Sequence, residues 1–157
     1  ANSLYFMMVD RFNNADSAND GTMNHPEILP QADYYGGDIK GVKEKVKDGY
    51  FKDIGVNSIW LSPIVQNSEG AWGLYPQPRT KFSAYHGYWP TSFSKIDYRF
   101  GTPEDLKELV KVAHENDFNV LIDFVANHVH KEHWVYQQNP DWATELYLPD
   151  GSMNTER

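Results

Sequence analysis

Oxygen-bearing side chains crowd one short stretch of this sequence. Asn14, Asp16, Asn19 and Asp20 fall within seven residues, and Gly36-Gly37-Asp38 brings a further carboxylate after two glycines. A hard cation such as calcium takes about six to eight oxygen ligands in irregular geometry, so mixed amides and carboxylates near glycines suit it better than zinc or magnesium. An EF-hand frame begun at Asp16 puts Gly21 and Glu27 where that loop wants glycine and a bidentate acid. Yet Ala18 cannot ligate, Pro26 intrudes, and an apolar strand precedes the loop where a helix is required. The residues alone leave two readings open, a calcium loop and a solvated turn.

Two other clusters carry chemistry. In Tyr85-His86-Gly87-Tyr88-Trp89 the rings of Tyr88 and Trp89 are amphipathic, and such a ring stacks on the apolar face of a pyranose while its polar end stays wet. Phe82, Phe93 and Phe100, by contrast, read as ordinary core. Asp123 closes an apolar run, where a carboxylate is costly to bury unless it is hydrogen-bonded or paired. It fits either a structural anchor or a site residue. Asn127 and His128, four and five residues on, fit either the capping of a strand end or ligand contacts.

The elements that must position these residues are legible as an alternation. Leu4 to Val9 is an almost unbroken apolar run, which suits a parallel strand buried on both faces. A helix over Val42 to Ile54 places Val42, Val46, Tyr50 and Phe51 on one face and stops at Gly55. Val56 to Leu61 is a second strand. Thr102-Pro103-Glu104-Asp105 is a strong helix start, and Leu106, Leu109, Val110 and Ala113 supply that helix's apolar face. Phe118 to Phe124 is a third strand. The order β-α-β-α-β implies parallel strands with right-handed crossovers. Between Val65 and Phe100 no helical or alternating pattern persists, and a loop of that length is usually functional. Beyond His128 no further clear element is expected.

Composition narrows the partners. The 157 residues are 40% apolar and 15% aromatic, enough for a core, and the net charge of −8 argues against nucleic acid or an anionic membrane. With no cysteine, disulfides, thiol catalysis and thiolate metal sites are excluded. The early apolar run is too short for a signal-peptide core or a membrane span. A secreted or periplasmic location is expected, any targeting segment having been removed or lying outside this stretch.

Three segments in order, Val9-Asp10-Arg11-Phe12, Tyr85-His86-Gly87-Tyr88-Trp89 and Asp123-Phe124-Val125-Ala126-Asn127-His128, resemble the α-amylase family of glycoside hydrolases, and Gly101-Thr102-Pro103-Glu104-Asp105-Leu106 makes the pattern specific. The resemblance implies a (β/α)8 TIM barrel with the active site at the C-terminal ends of its strands. Such a barrel needs about 250 residues. Residues 1–128 would then be the first part of the barrel, and 129–157 the start of the domain this family inserts after its third strand.

The resemblance also implies roles. Tyr88 would form the platform under the sugar at the cleavage point, with His86 and Trp89 lining the subsite. His128 would contact sugar hydroxyls, and Asp123 would help organise an arginine of the fourth strand. Asn14, Asp16, Asn19, Asp20, the Gly36 carbonyl and Asp38 would form one calcium site, and Asn127 would serve a second, between barrel and inserted domain. The nucleophilic aspartate, the acid/base glutamate and the stabilising aspartate of a retaining mechanism come from later strands, so no catalytic residue is expected here. Asp10, Asp38, Asp97 and Asp123 match no family motif in that role. The activity implied is cleavage or transfer of α-glucosidic bonds in starch, maltodextrin or related glucans, carried out together with the remainder of the same polypeptide. The rival readings are a carbohydrate-binding or structural relative without the catalytic acids, and an isomerase or transglycosylase of the same family.

Overall fold

The computed structural model describes residues 3–155. Three short strands, β1 (Leu4–Met7), β2 (Ser58–Leu61) and β5 (Asn119–Ile122), form a parallel sheet in the order β1-β2-β5. Their register is strict, with Met7, Leu61 and Ile122 in one row. The sheet therefore ends level, and the segments beginning at Val9 and Asp123 follow β1 and β5 directly, while Tyr85–Trp89 lies further along the connection after β2.

Each strand is shorter than its apolar run. After Met7 the chain turns at once into α1 (Val9–Phe12), because the Val9 amide bonds the buried Ser62 hydroxyl at 3.0 Å and the Gly37 amide takes the Asp10 carbonyl at 2.8 Å. The helix expected over 42–54 is two pieces, α2 (Ile39–Lys47) and α3 (Tyr50–Asp53), broken at Gly49 with φ of 89°. Val42, Val46 and Phe51 still reach the core, while Tyr50 is exposed. The second crossover helix, α4 (Pro103–Glu115), starts as its sequence requires: Thr102 and Asp105 form a capping box, at 3.2 Å and 2.9 Å. Leu109 and Ala113 are its buried stripe, and α4 packs beside α2 on one face of the sheet.

The core lies between that helical layer and the sheet, around Val9, Ile39, Val42, Phe51, Ile59, Leu61, Phe100, Leu109 and Phe118. The other face of the sheet is bare, contrary to the expectation of strands buried on both sides. Phe6, Trp60 and Leu121 lie in register across it, and all three are exposed.

The 65–100 stretch holds a hairpin that its sequence does not announce, β3 (Trp72–Pro76) and β4 (Arg79–Phe82), antiparallel with an irregularity between Trp72 and Tyr75. Glycine, proline and exposed rings inside β3 mask any alternation. Past His128 a short helix, α5 (Trp134–Gln138), and a single 3-10 turn at Pro140–Trp142 also depart from the expected lack of elements.

Candidate functional site

The segment after β2 is pinned from below. Asp97, fully buried, accepts the amides of Asn67 and Arg99 at 3.1 and 3.0 Å, and the Asn67 side chain in turn accepts the Trp89 amide at 2.6 Å. Burial pushes the Asp97 carboxyl upward and these backbone donors oppose it. Arg99 crosses to Glu69 in a two-pronged pair at 2.9 and 2.7 Å and donates to the Gly21 carbonyl at 2.7 Å. Two loops distant in sequence thus become one rigid base.

On that base the resemblance-implied residues meet. The Tyr88 hydroxyl donates to Asp123 Oδ2 at 2.7 Å, across from β2 to β5. His128 Nε2 lies 2.8 Å from the Tyr88 carbonyl oxygen, so it donates there. The Tyr88 amide donates to His86 Nδ1 at 3.0 Å, and the His86 ring stacks on Tyr88 at 6.1 Å and meets Trp89 edge-on at 4.4 Å. All five residues that the resemblance assigns to the substrate site, His86, Tyr88, Trp89, Asp123 and His128, therefore form one constellation beyond the C-terminal ends of the strands. Burial, then the bond to Asp123, raises the Tyr88 phenol to about 12. Burial first, and the Arg11 charge second, lowers His86 to about 4. Both side chains are neutral at ordinary pH and can exchange hydrogen bonds with uncharged hydroxyls.

The oxygen-rich loop after α1 divides. Asn14 donates to both carboxylate oxygens of Asp20, at 2.8 and 3.0 Å. Gly36, at φ of 90°, passes so close that a Cβ there would lie 2.5 Å from Asn14 Nδ2 and 2.5 Å from Asp20 Oδ1. Asn19 Oδ1 is buried without a hydrogen-bond partner, and it lies next to Asp20 in the chain. Asn14, Asp20 and Gly36 therefore converge. Asp38 and Asp16 are committed elsewhere. Asp38 is the N-cap of α2, accepting from Gly41 at 2.6 Å and Asp16 at 2.8 Å, and burial raises it against those bonds. Asp16 caps the Ser17–Asn19 turn and pairs with the Lys40 ammonium, which holds its carboxyl below the usual range. The amide and carboxylate side chains here and the unpartnered Asn19 oxygen have the chemistry calcium takes, with Lys40 as a cation already present at Asp16. Among the described residues no group of three or more His, Asp or Glu side chains is clustered to hold a metal. Asn127, exposed after β5, lies two strands from this loop.

Three supporting residues escaped the sequence reading: Asn67, Asp97 in its anchoring role, and Arg11. Only Arg11 left a signal, its place inside the Val9-Asp10-Arg11-Phe12 motif. Phe100 is core as expected, but Phe93 is 39% exposed, resting on Phe124 and His133.

Comparison with known proteins agrees with this geometry. Residues 6–147 match the sequence model of the alpha amylase catalytic domain. A cyclomaltodextrin glucanotransferase of Bacillus sp. (strain 1-1) is 32% identical over 127 residues, covering 80% of this chain and 17% of the relative. Among solved structures, an Anoxybacillus alpha-amylase superposes with a TM-score of 0.74 at 38% identity, covering 92% of this chain and 28% of the other. The Geobacillus thermoleovorans alpha-amylase, solved with acarbose, gives 0.69 at 40% identity, covering 95% and 29%. This chain thus spans under a third of the length of each of these proteins, and its parallel strands and crossover helices are the N-terminal portion of their barrel. With its level strand ends, its polar constellation above them and these matches, the chain belongs to the alpha-amylase family of glycoside hydrolases.

Proposed function

We propose that this chain forms one wall of an α-glucan cleft, in an enzyme that cleaves or transfers α-glucosidic bonds with retention. His86, Tyr88, Trp89, Asp123 and His128 would be its sugar-contacting residues. The observation that carries the reading is the Tyr88–Asp123 bond at 2.7 Å with His86 and His128 on the two backbone polar groups of the same tyrosine. That arrangement fixes one amphipathic ring by its hydroxyl and both backbone polar groups, where this fold places substrates.

A retaining mechanism needs two carboxyl groups about 5–5.5 Å apart, one attacking the anomeric carbon and one donating and then accepting the leaving-group proton. These would come from the remainder of the polypeptide, as would the stabilising aspartate. In that scheme Tyr88 and His128 hold the reacting sugar and Asp123 holds Tyr88. The exposed Phe6, Trp60 and Leu121 row supports the same reading, because side chains of the other strands fill the barrel interior. Residues from 129 onward would open the inserted domain.

Asn14, Asn19, Asp20 and the Gly36 carbonyl would hold calcium, joined by Asp16 if Lys40 swings away and by Asp38 only if it gave up the amides it caps, and Asn127 would serve a second ion. A bound ion there would supply fixed charge and rigidity, far from the chemistry. The kinship with a glucanotransferase favours transfer alongside hydrolysis, and product analysis on maltooligosaccharides separates the two. A secreted or periplasmic location belongs to the same proposal and is checked by cell fractionation.

The direct test is the full-length protein carrying Tyr88→Ala. A loss of roughly 100-fold in kcat/KM on an aryl maltoside, at unchanged folded fraction, is expected for removal of the sugar platform. Wild-type kinetics in folded Tyr88→Ala would refute the site.

A further inference from the structure

The Arg11 guanidinium lies between two phenol rings, 3.9 Å from the centroid of Tyr35 and 3.8 Å from that of Tyr85. Its Nη1 donates to Asp10 Oδ2 at 2.8 Å and to the Asp33 carbonyl at 2.7 Å, and its Nη2 donates to the Gln31 carbonyl at 3.0 Å. Asp10 is itself buried and takes the Tyr35 and Gly36 amides at 3.0 and 3.2 Å. A planar fork packed on two rings, with its edges bonded to three oxygens, is strongly fixed in orientation.

One of the things it touches leads into the sugar site. Tyr85 meets His86 edge-on at 5.4 Å, and His86 accepts the Tyr88 amide at Nδ1. A neutral imidazole that accepts at Nδ1 carries its proton on Nε2 and so offers a donor. A protonated ring would have no acceptor, and the bond to Tyr88 would be lost. Charge state and loop geometry are one variable at this residue.

We propose that Arg11 is a positioning residue of the sugar site, holding His86 in place through Tyr85 so that its Nε2–H is presented as donor to a sugar hydroxyl. This rests on the assignment of His86 and Tyr88 to a sugar subsite. The groups around His86 agree with it. Tyr85, Tyr88 and Trp89 are the rings that meet it on its own segment, and Asp123 is bound by the Tyr88 hydroxyl. Arg11 is the cation facing it, with Asp10 bound on the Arg11 edge through Nη1. Burial is the larger reason that His86 titrates near 4, and the Arg11 charge is the second.

The test uses the full-length protein with isotopically labelled histidine, in wild type, Arg11→Met and Arg11→Lys, following His86 by NMR and kcat/KM on an aryl maltoside against pH. In Arg11→Met the His86 pKa should rise by about one unit, the acid limb of the pH profile should move with it, and kcat/KM should fall about 10-fold or more. Arg11→Lys keeps the charge and loses the fork, so His86 should titrate close to wild type while kcat/KM falls several-fold. An unshifted His86 in Arg11→Met, or equal shifts in both variants, overturns the proposal. If Arg11→Met does not fold, Arg11→Lys with wild-type kcat/KM overturns it equally. The titration is read without sugar, so a protein that proves indifferent to glucans would refute the subsite and leave the His86 shift to judge Arg11.

Discussion

Tyr88 joins the candidate site through three separate atoms: its hydroxyl bonds Asp123, its amide bonds His86, and its carbonyl bonds His128. Only the first depends on the side chain. Tyr88→Phe should therefore keep the loop in place and lose roughly 10-fold in kcat/KM in the full-length protein, with little change in Tm, whereas Phe100→Ala should lose stability and leave the kinetics of folded molecules alone. Phe93, half exposed at the surface, is a poorer core control than its type suggests. His86 also sets a pH dependence. Its folded pKa, near 4, is below the ordinary 6.5, so between those values the unfolded chain binds the extra proton. Stability is then fully present above pH 6.5 and declines as pH falls toward 4, at on the order of 1 kcal/mol per pH unit from this group. Urea unfolding at pH 7 and pH 5 checks this: His86→Gln should show a smaller difference between the two than wild type, and an equal difference would remove His86 as the cause.

The elements that hold the site are short and depend on their ends. Thr102→Ala removes one half of the capping box of α4 and should cost about 1 kcal/mol. Gly37 has a different constraint, since a Cβ there would lie 2.0 Å from the Val9 carbonyl oxygen and 2.5 Å from that of Asp10. Gly37→Ala must push the 36–38 segment off α1, and with it Asp38 off the N-terminus of α2. A loss well above that of Thr102→Ala is expected, on the order of 3 kcal/mol. Equal midpoints for the two variants in chemical denaturation would contradict that ranking. Asp38 belongs to this scale as well. Because it caps α2 through the Gly41 amide, Asp38→Ala should destabilise the protein with or without calcium.

At the scale of the molecule, the calcium proposal needs a probe free of that capping role, and Asn19 provides it, its side-chain oxygen being buried without a partner. Calcium at about a hundred times its dissociation constant should add about 2.7 kcal/mol to wild type and far less to Asn19→Ala. Calorimetry of the full-length protein at both calcium levels reads the difference, and an identical calcium-dependent shift in the two would place the ion elsewhere. No described helix is long and apolar enough to cross a membrane. The bare sheet face predicts that residues 1–157 alone melt at low temperature and bind a hydrophobic dye, since Phe6, Trp60, Leu121 and Phe124 stay in water. With no carboxyl pair assigned to them, they should also show no turnover of starch. A cooperative high-temperature melt of the monomer would count against this account.

What the sequence determined by itself is the alternation of strands and helices, the cap of α4 and the three segments that leave the sheet, because each depends on neighbours along the chain. Apolar runs specify strands, Thr102-Pro103 specifies a helix start, and an aromatic cluster after a strand specifies a wet, ring-lined edge. Where the strands stop was decided by tertiary contacts, since the Ser62 hydroxyl and the Asp10 carbonyl capture the backbone after Met7. The hairpin at 72–82 was hidden because pairing between strands compensates for residues of poor strand preference. The support of the site was hidden for a related reason. Asn67 and Asp97 are thirty residues apart and act by receiving backbone amides, which any sequence offers. Tertiary structure also divided the polar residues of the first loop, joining Asn14 to Asp20, Asp16 to Lys40 and Asp38 to the first amides of α2, because each side chain takes the nearest complementary partner the fold supplies.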